Sequence, residues 1–142
     1  MVKMKALYQG SKHCLLTHLP SHSEIQTDAP KDNHGKGECF SPTDMTAASL
    51  LSCILTTMAI KTEPLGYKLE GIHGTVEKIM VTDPRRIGEL RLEIHLPKTL
   101  TSDQRLNLEN IAAGCPVKES LHTDTLISST YKIGRASCRE RV

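Results

Sequence analysis

The chain has 142 residues, enough for one compact domain with its own core and short of what two independent domains need. Its formal charge of +2 comes from the last stretch alone, where Arg135, Arg139 and Arg141 stand against Glu140; the rest is balanced. With one Phe, three Tyr and no Trp there is neither a basic face nor an aromatic platform for bases, which sets nucleic-acid binding aside.

The opening Met-Val-Lys-Met-Lys runs into an alternating segment in place of an apolar signal core. Val2 to Tyr8, Cys14 to Leu19 and Glu24 to Thr27 predict three short strands, with turns at Gln9-Gly10-Ser11 and Pro20-Ser21-His22-Ser23, and so an antiparallel meander. Residues 28–40 are polar and Gly-rich, a surface loop. Ser41-Pro42-Thr43-Asp44 then opens a helix, with Ser41 as N-cap, Pro42 in the first turn and Asp44 at the positive end of the dipole. Pro64-Leu65-Gly66 closes it, which leaves about 22 residues or roughly 33 Å of helix. Apolar and small residues go nearly all the way round, so the helix is expected at the centre of the fold. Its apolar stretch, Met45 to Ile60, is dotted with Thr and Ser and falls short of the roughly 18 residues of a membrane span. The expectation is a soluble, cytoplasmic protein with no membrane partner.

Tyr67 to Val81 has strand composition with a break near Gly71 and Gly74. Leu90, Leu92, Ile94 and Leu96 alternate strictly with Arg91, Glu93 and His95, and Asp83-Pro84 with Gly88 predicts a hairpin of longish loop between the two strands. Thr101-Ser102-Asp103-Gln104 has the form of a capping box opening a helix to Ala113, which Gly114 ends. Cys115-Pro116 starts a short helix to about His122, and Leu126 to Ile133 closes as a strand. Residues 135–142 change composition abruptly and are expected to be a disordered tail or a cloning scar, which excludes Cys138 from the chemistry.

Five cysteines are an odd number without framework spacing, and in a reducing compartment such thiols are free, catalytic or incidental. Cys53 lies three turns inside the long helix, beyond the reach of its dipole. Thr46, Ser49, Ser52, Thr56 and Thr57 surround it with hydroxyls but no cation, so its local sequence favours a small core hydrophobe over a nucleophile. Cys115 reads differently. A residue before a helical proline is commonly the N-cap, where backbone N–H groups favour an anion and would lower a thiol pKa; a kinked junction between two helices is the equal alternative. Cys14 and Cys39 read as bystanders. There is no Cys-x-x-Cys and no His-x-x-x-His on a helix, and His13, His18 and His22 lie across strands and turns, so neither zinc nor another metal is expected. Gly35-Lys36-Gly37 lacks the framing of a phosphate loop, and no cofactor is implied.

Taken together, Ser41 to Cys53 (SPTDMTAASLLSC), the alternating strand pair, the Thr101 to Ala113 helix and Cys115 to Leu121 (CPVKESL) resemble the OsmC/Ohr family of thiol-dependent organic hydroperoxide reductases. The resemblance spans nearly all of residues 1–134, taken as one domain. It implies an α+β fold, with antiparallel sheets packed on a long central helix in an intertwined homodimer. It also implies that Cys53 attacks an organic hydroperoxide to become a sulfenic acid, that Cys115 condenses with it to a disulfide, and that a dithiol of the lipoyl or thioredoxin kind restores the pair. In the best-characterised branches of the family an arginine from the N-terminal strands and a glutamate on the first turn of the long helix hold the reactive thiolate. Here the first arginine is Arg85, Thr43 stands where the glutamate would be, and Asp44 is one residue, about 100°, around the helix. Lys5, Lys12, His34 and Lys36 are the available stand-ins for the cation. The competing reading is a non-enzymatic dimer of the same fold that binds an apolar small molecule.

Overall fold

The computed structural model describes residues 1–134; the expected tail, with Cys138, lies outside them. The described chain groups into two units, Met1–Thr46 and the residues from Ala47 onward.

In the first unit β1 (Met4–Tyr8), β2 (His13–His18) and β3 (Ser23–Asp28) form an antiparallel sheet in that order, the expected meander. The register of β2 on β3 sets His13 directly opposite Asp28. Beyond β3 the polar loop folds back on its own start, because the Asp28 amide donates to the Phe40 carbonyl at 3.1 Å and the Gly37 amide to the Ala29 carbonyl at 3.2 Å. Gly35 permits this approach: a Cβ there would sit 1.9 Å from the Ala29 carbonyl oxygen. The first turn of α1 (Pro42–Thr62) follows. Its start is a reciprocal cap, with the Asp44 amide donating to Ser41 Oγ at 3.0 Å and the Ser41 amide to Asp44 Oδ2 at 2.9 Å.

In the second unit α1 runs into a 3-10 turn, Glu63–Leu65, which Gly66 ends at φ 91°. There follow β4 (His73–Val81), β5 (Arg86–Leu96), α2 (Ser102–Ala112), α3 (Pro116–Ser120) and β6 (Leu126–Ile133), and the sheet order is β4-β5-β6. β4 and β5 pair antiparallel, whereas β6 lies parallel to β5, so this sheet is mixed. A parallel neighbour cannot be reached through a tight turn, and the chain crosses over by way of α2 and α3. β4 begins at His73, later than the composition of Tyr67 to Ile72 suggests, because that stretch turns at Gly71 (φ 92°) and the Ile72 amide bonds back to Leu69. The hairpin connection is also shorter than expected. Gly88 lies within β5, where a Cβ would come 2.4 Å from Val81 Cγ1, and a register shift at Ile79/Met80 absorbs the mismatch.

α2 carries the expected capping box between Thr101 and Gln104. The core draws Leu90, Leu92, Ile94 and Leu96 from β5, Leu108 and Ala112 from α2, and a single stripe, Ala47, Leu50, Ile54 and Met58, from α1. Thr62 continues that stripe and satisfies its hydroxyl on the Met58 carbonyl at 2.8 Å. Within one chain α1 is thus covered along one side, and Ile60 on another is 73 % exposed. Pro42–Leu65, which contains an 18-residue window of mean hydropathy 1.3, is long and apolar enough to cross a membrane by length and composition, which corrects the expectation drawn from the apolar stretch alone. Its stripe through the core is what a core helix shows.

Candidate thiol site

Cys53 and Cys115 both belong to the second unit, and the fold makes them neighbours, close enough for Cys53 to act on the Cys115 thiol. α1 supplies Cys53 from the margin of its buried stripe, half-buried against the core, with Sγ 3.8 Å from Thr57 Oγ1. Cys115 comes from the crossover between β5 and β6. It is the N-cap of α3, with extended backbone (φ −72°, ψ 150°) and Pro116 in the first turn, and its sulfur accepts from the Lys118 amide at 3.4 Å. It is wholly buried in the core.

The N-cap position is as expected, but its electrostatic consequence is not. Burial pushes the Cys115 thiol above its ordinary pKa, and the adjacent Cys53 sulfur adds to the shift; the amides of Lys118 and Val117 work against both and lose. Local sequence shows the helix start but not the depth at which it lies, and a helix of five residues has little dipole to offset desolvation. The Lys118 ammonium is spent on the Ala113 carbonyl at 2.9 Å. Lys5, Lys12, His34 and Lys36 all fall in the first unit, so none belongs to the unit that carries the two sulfurs. Asp44 is engaged in capping α1. All four described cysteines are free thiols.

One cluster escaped the sequence reading. His13, Asp28 and Cys39 of the first unit converge, although Cys39 reads as a bystander and His13 as a strand histidine. The signal that could have found it is the strand register, which pairs His13 with Asp28.

The model of the OsmC-like protein family matches residues 35–130, a span that includes both thiols of the second unit. The chain belongs to this family. A solved structure from Psychrobacter arcticus 273-4, named for osmotic stress induction and a detoxification response, is 41% identical, with a TM-score of 0.85 over 94% of this chain and 96% of that one. An OsmC-like protein from Mycoplasma pneumoniae shares the fold at 14% identity, TM-score 0.79, over 95% of this chain and 98% of that one. So does an organic hydroperoxide resistance protein from Elizabethkingia anophelis, at 15% identity, TM-score 0.75, over 94% and 96%. No curated protein matches the chain. The α+β fold of this OsmC-like protein is therefore that of a family which includes proteins named for hydroperoxide resistance.

Proposed function

We propose that this OsmC-like protein is a thiol peroxidase that reduces organic hydroperoxides, with Cys53 as the attacking sulfur and Cys115 as the resolving one. The observation that carries the reading is the approach of the half-buried Cys53 to the fully buried Cys115. Cys53 is the sulfur a peroxide meets first. Its thiolate displaces alkoxide from the terminal peroxide oxygen, leaving Cys53–SOH, and the alkoxide takes a proton to become the alcohol. The Cys115 thiol then condenses with the sulfenic acid, forming the S–S bond and releasing water. A small dithiol of the lipoyl or thioredoxin type reduces the pair by exchange and leaves as its own disulfide. A raised pKa keeps Cys115 protonated in the resting pair, where it can donate toward the Cys53 sulfur; it gives up that proton, which leaves with the hydroxyl as water, when it attacks the sulfenic acid.

The working form in this reading is a homodimer in the cytoplasm, where thiols are kept reduced. The side of α1 bearing Ile60 and the exposed apolar residues Met4, Leu7 and Tyr8 of β1 supply surface for a second copy.

The test is mass analysis of the reduced protein after one equivalent of an organic hydroperoxide. A loss of two hydrogens, with Cys53 and Cys115 linked in the peptide map, is the expected result. A dithiol that survives intact would instead favour a dimer that binds an apolar small molecule, a reading motivated by Thr43 at the glutamate position and by the first arginine being Arg85.

A further inference from the structure

We propose that His13, Asp28 and Cys39 form a binding site for a zinc-class divalent cation in the first unit, taking His13 Nδ1, an Asp28 carboxylate oxygen and Cys39 Sγ as ligands and leaving a fourth position to water. The three donor atoms lie within 4.8 Å of one another. They come from three places in the chain: the start of β2, the end of β3, and the end of the loop that folds back on Asp28. Imidazole, carboxylate and thiolate together are the donor set of a borderline-soft ion such as Zn²⁺, not of magnesium or calcium.

The surroundings of the cluster are those of a built site. Asp28 is almost wholly buried and His13 half-buried. His13 Nε2 faces Gln26 Oε1 at 2.8 Å, which fixes the outer nitrogen as a donor and turns Nδ1 into the cluster, 2.5 Å from Asp28 Oδ1. A metal-bound histidine is usually held in this way through its second nitrogen. The Glu38 amide donates to Asp28 Oδ2 at 2.9 Å and holds the carboxylate in place. Tetrahedral zinc needs ligand atoms about 3.3–3.8 Å apart, given bonds of about 2.0–2.3 Å, so small side-chain rotations suffice.

On binding, N–metal, S–metal and O–metal bonds form around one dication, and any proton on His13 Nδ1 or the Cys39 thiol leaves for solvent; carboxylate and thiolate together then offset the two positive charges of the ion. This inference is independent of the thiol pair in the second unit.

The experiment titrates the chelator-treated full-length protein with Co²⁺ and then Zn²⁺. The expected result is one cobalt per chain with a thiolate-to-metal band in the near ultraviolet, bleached by zinc, absent in Cys39→Ser and retained in Cys115→Ser. No band, or a band that persists in Cys39→Ser, overturns the proposal. A second measurement needs no variant: alkylation mapped on the wild-type chain should show Zn²⁺ protecting Cys39, and equal labelling of Cys39 with and without Zn²⁺ overturns the proposal as well.

Discussion

Cys115, which caps a short helix, is acted on by the sulfur of Cys53, which sits midway along the 21 residues of α1. In the proposed cycle the two sulfurs have unequal duties, and single substitutions should separate them. Cys53→Ser is expected to abolish hydroperoxide turnover with a dithiol reductant. Cys115→Ser should consume about one equivalent per chain and then stall at the sulfenic acid, since nothing condenses with it. Stopped-flow peroxide consumption distinguishes the two, and sustained turnover by Cys53→Ser would refute the assignment.

Burial is the leading cause of the raised Cys115 pKa, so the shift should survive removal of Cys53. In Cys53→Ser, the rate of iodoacetamide labelling at Cys115 should climb with pH through a midpoint above the 9.0 of an ordinary thiol. The linkage has the same sign. A group that holds its proton more tightly when folded stabilises the fold below its unfolded pKa and ceases to do so as pH rises through the folded value, so alkali should weaken the wild type more than Cys115→Ala. A labelling midpoint below 9.0 would contradict the burial argument.

Glu93 on β5 accepts from His95 Nε2 at 2.8 Å and pairs with Lys132 of β6 at 3.3 Å. Its carboxyl is held below the ordinary 4.5, first by His95 and then by Lys132. Because the folded pKa is the lower one, this contribution is present above 4.5 and is lost as pH falls through the folded value. Glu93→Gln should therefore lower the urea midpoint at neutral pH, and the gap to wild type should close in acid. A gap independent of pH would mean that packing, not charge, is what the substitution disturbs.

α2 allows a local and a tertiary term to be compared within one helix. Thr101→Ala removes one half of the capping box and should cost about 1 kcal/mol, whereas Leu108→Ala, which opens a cavity where the side chain is wholly buried, should cost about 2–5 kcal/mol. Urea unfolding of the two variants gives the ratio, and equal losses would count against Leu108 as a core anchor.

Much of this was legible in the residues. Ser41 with Asp44, and Thr101 with Gln104, announce helix starts through side-chain chemistry that needs no tertiary partner, and both caps form. The alternation from Leu90 to Leu96 carries β5 in the same way. What depends on distant neighbours was less legible. Tyr67 to Ile72 has strand composition yet turns, the environment of Cys115 is decided by burial, and the approach of His13, Asp28 and Cys39 exists only once β2 and β3 are in register and the loop has closed. The pairing of the two thiols is an expectation drawn from family resemblance, since no local signal marks Cys53 as more than a small apolar residue.

The parallel placement of β6 has a consequence for how the thiol pair tolerates change. Because the return to β5 obliges the chain to travel the whole length of the sheet, α2 and α3 behave as a strut of set span, and Cys115 is a point along that strut. Surface residues of α2 are free to drift while the strut keeps its length. A single insertion within α2 would lengthen that strut and carry the second sulfur from its place without any loss of cysteine.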